Sequence, residues 1–195
     1  MSHRVIAGIA KGRRLKLVPG NTTRPIMDRV KESLFNILSG DIPESRFLDL
    51  FAGTGAVGIE ALSRGAAYVR FLDKDKTAIR TIQDNLRHTH LEENAEVIQT
   101  DSLRYLQRRR APSFDIVYIA PPQYQGMWKE ALMLLDENPV HLNPDAIVVV
   151  QIHPKEFEDV TLHNLTEFDR RKYGKTLLIF YEYVTPEDRA AEAES

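Results

Sequence analysis

The chain has 195 residues, of which 43% are hydrophobic and 28% charged, so it can bury the core of one domain. It has no cysteine, which excludes disulfides, thiolate metal sites and a cysteine nucleophile and fits a cytoplasmic protein. The net charge of −2 argues against a protein that coats nucleic acid by bulk charge, but it allows a local basic patch. No apolar run of about 18 residues occurs, and the N-terminus lacks a signal-peptide pattern, so we expect no membrane association.

The N-terminal part of the chain reads as a small β/α extension. Alternation predicts one strand over Arg4–Ala7 and a second around Leu15 and Leu17. A helix then begins with Asp28 as its N-cap and ends before Gly40. We predict residues 1–43 as this extension, 44–185 as the core domain, and 186–195 as an acidic tail that is frayed or disordered.

From residue 46 onward, apolar strands alternate with amphipathic helices. The predicted strands are Phe47–Leu50, Tyr68–Leu72, Ala95–Thr100, Phe114–Ile119, Ala146–Ile152 and Thr176–Val184. The predicted helices are Gly55–Arg64, Lys74–His88, a short one through Leu103 and Leu106, and Trp128–Leu135. This pattern predicts an α/β fold with a mostly parallel open sheet that is covered on both faces.

A glycine motif joins the first core strand to its helix. Gly53, Gly55 and Gly58 satisfy G-x-G-x-x-G, which allows a tight turn, close approach of a ligand to the backbone, and close packing of helix on strand. Asp73 ends the second strand, where a carboxylate can accept hydrogen bonds from ribose hydroxyls. These features predict a nucleotide-type cofactor, against the alternative of a glycine-rich turn without a ligand.

The glycine motif alone does not separate S-adenosylmethionine (SAM) from NAD. Asp49 lies just before the turn, where its carboxylate can face the methionine ammonium group, and Asp101 follows the third strand, where it can contact the adenine amino group. Asp101 can also be read as a simple helix cap. Both aspartates favour SAM over a nicotinamide cofactor.

The segment after the fourth strand indicates the chemistry. Pro121 and Pro122 end the strand and rigidify a loop at the carboxyl edge of the sheet. In amino methyltransferases, Asp or Asn precedes such a pair and an aromatic residue follows it, because an exocyclic base amine needs hydrogen-bond acceptors to hold it and a ring to stack on. Here Ala120 and Gln123 occupy those positions, and Tyr124 follows one residue later. The alternative is a structural turn without catalysis.

The chain resembles the RsmD-type methyltransferases, which methylate guanine N2 in small-subunit (16S) rRNA. The resemblance lies in Arg4–Gly8, Gly12–Leu15, Arg24-Pro25, Asp28–Asn36, Asp49–Gly55 and Gly58–Ala66. It implies a Rossmann-like SAM-dependent fold with an antiparallel C-terminal hairpin. The implied cofactor site comprises Asp49, Ala52, Gly53, Gly55, Asp73 and Asp101, together with the neighbouring Phe51, Lys74 and Ser102. The implied catalytic loop is Ala120, Pro121, Pro122, Gln123 and Tyr124, which departs from the family tetrapeptide at Ala120 and Gln123.

Basic residues cluster near the family-specific N-terminal block. Phosphate contacts from such a cluster would set the register of an RNA substrate, against the alternative of a solvated charged face. The candidate RNA-binding residues are Arg13, Arg14, Arg24, Arg29 and Lys31. We expect the partner to be small-subunit rRNA or an assembling 30S particle, and the protein to be a monomer.

The remaining predictions concern two histidines, one tryptophan and the alternative functions. His88 and His90 do not share a helical face, so we expect surface residues and no metal site. Trp128 either helps to form a base pocket or packs inside a helix. A same-fold methyltransferase with another RNA or protein substrate, or a SAM- or RNA-binding assembly factor without catalysis, are the alternative functions.

Overall fold

In the computed structural model, the structure describes residues 3–20 and 25–195. The helices are α1 (Asp28–Ile37), α2 (Ala56–Ser63), α3 (Lys76–Thr89), α4 (Ser102–Leu106), α5 (Met127–Glu137) and α6 (Pro186–Ala193). The strands are β1 (Arg46–Asp49), β2 (Tyr68–Asp73), β3 (Ala95–Gln99), β4 (Phe114–Ile119), β5 (Leu142–Ile152), β6 (Leu165–Tyr173) and β7 (Thr176–Tyr183). The chain divides into two compact units, Met1–Ser102 and Leu103–Ser195.

The strands of the first unit are ordered β3-β2-β1, and those of the second are ordered β4-β5-β7-β6. All pairings within β1–β3 and that of β4 with β5 are parallel, whereas β7 runs antiparallel to both β5 and β6. The strand pairing is therefore mostly parallel, with an antiparallel C-terminal hairpin, which confirms the predicted fold class. In the described part of the chain, no helix is both long and apolar enough to cross a membrane.

The core helices of the first unit follow from their sequences. Every residue of α2 is buried, as expected for a short apolar helix that packs on the sheet. Helix α3 is amphipathic, and its N-cap is Asp75, whose side chain accepts a hydrogen bond from the Thr77 N–H at 3.0 Å. His90 ends α3 in the left-handed conformation with a φ of 58°.

The N-terminal segment does not form the two predicted strands. An isolated antiparallel bridge pairs Arg4 with Arg14 among its described residues. Three backbone hydrogen bonds accompany it: Val5 N–H to the Arg13 carbonyl at 2.9 Å, Gly12 N–H to the Val5 carbonyl at 2.8 Å, and Leu15 N–H to the His3 carbonyl at 2.7 Å. Side chains of α2 hold this segment instead. The Glu60 carboxylate accepts hydrogen bonds from the backbone N–H groups of Ile6 at 2.8 Å and Ala7 at 3.1 Å. The N–H groups of Ile6 and Ala7 therefore bond to a side chain and not to a neighbouring strand, so the backbone pairing does not extend into strands.

Two other expectations on secondary structure were wrong, and one strand was not predicted. Asp28 is the first residue of α1, and Met27 occupies the N-cap. The acidic tail, expected to be frayed or disordered, contains α6, because the Thr185 hydroxyl caps it by accepting from the Asp188 N–H at 3.2 Å. Strand β6 was not predicted, because it is an edge strand whose side chains are mostly polar and exposed, and its backbone pairs with β7.

Candidate functional site

The glycine turn between β1 and α2 adopts the geometry that its sequence requires. Gly53 and Gly55 have φ angles of 56° and 82°, a left-handed conformation that other residues rarely adopt. The Ala52 N–H donates to the Leu72 carbonyl at 2.9 Å, and the Gly55 N–H donates to the Ala52 carbonyl at 2.8 Å. A Cβ atom added at Gly53 would meet no atom within 4 Å, so the space beside this backbone is open for a ligand.

The third glycine serves packing. A Cβ atom at Gly58 would lie 2.3 Å from Cε1 of Phe71, so only glycine lets α2 sit this close to β2. The prediction that Gly58 allows close packing of helix on strand is confirmed.

Asp49 presents a buried acceptor beside this turn. Its side chain is 1% exposed, and Oδ2 accepts a hydrogen bond from the Gly58 N–H at 3.2 Å. Its Oδ1 has no hydrogen-bond partner among the residues that the structure describes. Burial raises the pKa of Asp49 to about 7, and the nearby Asp73 carboxylate adds to this rise. A buried carboxylate with a vacant lone pair fits a cationic ligand group such as an ammonium.

Asp73 is the last residue of β2, and its side chain stabilises the glycine turn. Its Oδ2 accepts from the Gly53 N–H at 3.0 Å, and its Oδ1 accepts from the Asp75 N–H at 2.9 Å. Burial raises the pKa of Asp73 despite these two hydrogen bonds. Because each carboxylate oxygen has two lone pairs, both oxygens can still accept from ligand hydroxyl groups.

The remaining predicted cofactor residues differ in their exposure. Phe51 is half-buried, whereas Lys74 and Asp101 are exposed. Ser102 is buried, and its hydroxyl donates to the Leu50 carbonyl. The Ser102 hydroxyl therefore stabilises the chain just before the turn.

Sequence reasoning missed two residues that support the glycine turn. The buried Asn85 side chain donates to the carbonyl oxygens of Thr54 at 2.9 Å and Lys16 at 3.1 Å, and accepts from the Lys16 N–H at 2.7 Å. The His3 ring lies 2.8 Å from the Thr54 hydroxyl, and burial lowers the pKa of His3 to about 4. An asparagine on the apolar face of α3 was the one sequence signal that pointed to such a contact.

The Pro-Pro loop after β4 lies in the second unit. Ala120, Pro121 and Pro122 are half-buried, and Gln123 is exposed. Tyr124 is 63% exposed, has a φ of 61°, and donates its backbone N–H to Oε1 of Glu156 at 2.7 Å. A large exposed ring at this place is available for stacking on a ligand.

Trp128, by contrast, is a packing residue. It is 2% exposed, and its ring stacks on Phe157 with the centroids 6.3 Å apart. Of the two readings left open for Trp128, the structure supports packing within the helix.

The predicted RNA-binding residues divide into three groups. Arg13, Arg14 and Arg29 are exposed, as a phosphate contact requires. Arg24 lies outside the described residues. Lys31 was assigned wrongly, since its side chain is 1% exposed and its Nζ lies 3.3 Å from Glu60 Oε1.

Lys31 has a structural role in place of an RNA contact. Its ammonium donates to the Arg4 carbonyl at 2.5 Å and shares the Glu60 carboxylate with Arg64. Burial lowers the pKa of Lys31, and Glu60 opposes that shift. This pair joins α1 to α2 and to the N-terminal segment, a long-range contact that the charge pattern does not reveal.

His88 and His90 are exposed, as expected. Within residues 3–20 and 25–195, no group of three or more His, Cys, Asp or Glu side chains is placed to hold a metal ion.

Comparisons with known proteins identify the family of the chain. The family model described as "Conserved hypothetical protein 95" matches residues 3–182. Ribosomal RNA small subunit methyltransferase D of Haemophilus influenzae is 40% identical over 173 residues, which are 88% of this chain and 89% of the relative. YlbH of Bacillus subtilis strain 168 is 40% identical over 182 residues, which are 92% of this chain and 98% of the relative.

Solved structures give the same result. The structure of yhhF from Escherichia coli matches with a TM-score of 0.84 and 30% identity, covering 95% of this chain and 99% of that one. HI0767 from Haemophilus influenzae matches with a TM-score of 0.79 and 36% identity, covering 95% and 100%. The chain therefore belongs to the RsmD-type family of SAM-dependent ribosomal RNA methyltransferases.

Proposed function

We propose that this protein transfers a methyl group from SAM to the exocyclic N2 amine of a guanine in small-subunit (16S) rRNA. The observation that carries the proposal is the orphaned, buried Oδ1 of Asp49 beside a left-handed glycine turn, in a chain of the RsmD-type family. The relative from Haemophilus influenzae is named as a methyltransferase of small-subunit ribosomal RNA, which supports the choice of substrate.

The cofactor residues bind by charge and shape. Asp49 accepts hydrogen bonds from the methionine ammonium, and Asp73 accepts them from the ribose hydroxyls, while Gly53 and Gly55 let the ligand approach the backbone. Asp101 accepts from the adenine amine, and Phe51, Ala52, Lys74 and Ser102 complete the site. When bound, SAM supplies an electrophilic methyl group on a sulfonium.

The Pro-Pro loop holds the acceptor amine. The lone pair of a guanine N2 amine is delocalised into the ring, so catalysis depends on positioning the nitrogen and on accepting its N–H bonds. The Pro121 carbonyl and the Gln123 amide oxygen provide these acceptors in our proposal, and Tyr124 stacks on the flipped base. Methyl transfer would form the new N–C bond as the bond between the methyl group and the sulfonium sulfur breaks, and the nitrogen would lose one proton to water.

The exposed arginines of the N-terminal segment contact the RNA backbone. Arg13, Arg14 and Arg29 neutralise phosphates and set the register of the substrate. We propose that the protein works in the cytoplasm as a monomer, on rRNA or on an assembling 30S particle.

One observation favours a second candidate function. Ala120 stands where the family pattern has a side-chain acceptor, and loss of one such group can lower kcat by about 100- to 1,000-fold. A protein that binds SAM and RNA without methyl transfer, or one that methylates another substrate, is the alternative.

Methyl transfer from labelled SAM to 30S subunits that lack this modification tests the proposal. We expect label on a guanine N2, identified by mass spectrometry of the modified nucleotide. Label on another base would identify a different substrate, and SAM binding without transfer to any RNA would support the non-catalytic alternative.

The RNA contacts have their own test. The double variant Arg13→Glu, Arg14→Glu should weaken RNA binding at least about tenfold and reduce its salt dependence, because phosphate contacts release counterions. The control, with the same change in net charge, is the double variant Arg171→Glu, Lys172→Glu at two exposed positions of β6, where Arg171 pairs with Asp169 at 3.1 Å. Equal losses in both proteins would show that overall charge, and not the N-terminal segment, binds the RNA.

A further inference from the structure

A single carboxylate joins the Pro-Pro loop to the turn that follows β5. Oε1 of Glu156 accepts the Tyr124 backbone N–H at 2.7 Å, and Oε2 accepts the His153 backbone N–H at 3.0 Å. Hydrogen bonds from N–H groups to an ionised carboxylate are among the stronger ones in proteins. Both oxygens of Glu156 are therefore used to hold backbone, and neither role follows from the sequence motif.

The Tyr124 backbone requires such a tether. Its φ of 61° is a left-handed conformation, which is sterically disfavoured for a residue with a Cβ atom. The surrounding structure must impose this conformation for it to persist. The Tyr124 N–H donates to Glu156, and this hydrogen bond fixes the direction in which the exposed ring leaves the loop.

The turn that carries Glu156 is itself rigid. Pro154 begins the 3₁₀ turn Pro154–Glu156, and the His153 ring accepts the Lys155 N–H at 3.1 Å. Phe157 follows at once, stacked on Trp128 and covered by the Arg170 guanidinium at 4.0 Å from its ring centroid. A carboxylate on a rigid turn of this kind can orient a neighbouring loop accurately.

We propose that Glu156 is a positioning residue for methyl transfer, which acts by holding Tyr124 in its left-handed conformation beside the His153 ring. The two rings lie 5.8 Å apart at 38°, so they form a continuous aromatic surface. This inference rests on the proposed function, because it assigns Tyr124 to the face that stacks on the acceptor base.

A double-mutant cycle tests the proposal. Glu156→Ala should lower kcat by about 10- to 100-fold, the effect of displacing a reacting group by about 1 Å, while the SAM dissociation constant stays unchanged. Tyr124→Gly removes the ring but tolerates the left-handed backbone without the tether. The double variant should therefore be no more than about threefold less active than Tyr124→Gly alone, since the two residues act as a unit.

Two further variants separate positioning from folding. Glu156→Gln keeps one acceptor oxygen and should retain an intermediate kcat. Glu158→Ala removes a neighbouring surface glutamate that pairs with Lys129 at 2.8 Å, and it should have wild-type activity. Thermal melting of each variant identifies those that fail to fold.

The outcomes distinguish the two proposals. A kcat of Glu156→Ala equal to wild type, or losses that multiply in the double variant, would overturn the positioning role. A wild-type protein that methylates a base other than guanine at N2 would overturn only the proposed specificity, because the cycle can be measured with that substrate. A wild-type protein without methyl transfer would overturn both.

Discussion

The two functional loops of this protein reach a left-handed backbone by different means. In the glycine turn after β1, the left-handed residues are Gly53 and Gly55, which adopt that conformation at little cost. In the Pro-Pro loop after β4, the left-handed residue is Tyr124, and a carboxylate 32 residues away holds it. The first geometry is encoded locally, and the second depends on a contact that is distant in sequence.

This difference explains why the conformation of the first loop follows from its sequence, whereas that of the second does not. The glycine motif, its flanking strand and Asp73 all lie within a short stretch, so their spacing carries the physical requirement. Nothing near Tyr124 indicates Glu156, since its role exists only after β5 has brought the following turn alongside. Lys31 shows the same limit, because its partner Glu60 lies on another helix and turns an expected surface charge into a buried one.

The fold was predictable for a similar reason. Apolar strands such as β4, whose predicted bounds Phe114–Ile119 match the observed ones, are specified by their own residues. Strand β6 was missed because an edge strand needs only backbone pairing with β7, and its exposed polar side chains leave no periodic signal. Helix α6 was missed because its cap, Thr185, outweighs a composition typical of disorder.

The largest expected effect comes from adding a side chain in the glycine turn after β1. Gly53→Val should weaken SAM binding by at least about 100-fold, or about 2.8 kcal/mol, because its side chain would occupy the open space where a ligand approaches the backbone. Isothermal titration calorimetry with SAM measures this.

The matched control is Gly174→Val in the turn between β6 and β7. Gly53 and Gly174 have the same φ of 56°, and neither Cβ would meet an atom within 4 Å. Both variants should therefore lose similar stability, but only Gly53→Val should lose SAM affinity. An unchanged affinity in Gly53→Val would contradict the placement of the cofactor.

A smaller effect should appear in the pH dependence of SAM binding, through Asp49 beside the same turn. Because burial raises the pKa of Asp49 to about 7, the side chain is protonated in much of the free protein below that pH. An ammonium ligand binds the ionised form, so SAM affinity should rise up to about tenfold per pH unit as pH approaches 7 from below, then level off. Binding below pH 7 should release a proton, which calorimetry in buffers of different ionisation enthalpy detects.

Stability without a ligand should follow the opposite trend. The unfolded carboxyl ionises near 3.8, so the contribution of the buried, protonated Asp49 is lost as pH rises from 3.8 to about 7. Asp49→Asn keeps the size of the side chain, and it should bind SAM weakly with little pH dependence over this range. A pH dependence that survives in Asp49→Asn would show that another group, such as Asp73, binds the ammonium.

The smallest expected effect tests whether the Pro-Pro loop tolerates, at Ala120, the Asp or Asn that is typical of amino methyltransferases. Ala120→Asp and Ala120→Asn each restore a side-chain acceptor before Pro121, and we expect kcat to stay equal to wild type or rise by up to about tenfold. The reason is that Glu156 holds the backbone at Tyr124, and the prolines restrict the residues between, so residue 120 does not set the path of the loop. Single-turnover methyl transfer to unmodified 30S subunits measures the change.

Ala120→Leu is the control for this last pair, because leucine adds bulk without an acceptor and should only lower kcat. If all three variants lose activity to the same extent, residue 120 faces a space that cannot take a larger side chain, and the acceptor site has been rebuilt around alanine. If Asp and Asn are tolerated and Leu is not, the position still lies beside the amine. The second result would mean that the hydrogen bond from the Tyr124 N–H to Glu156 keeps the loop in the family geometry, although Ala120 departs from the family motif.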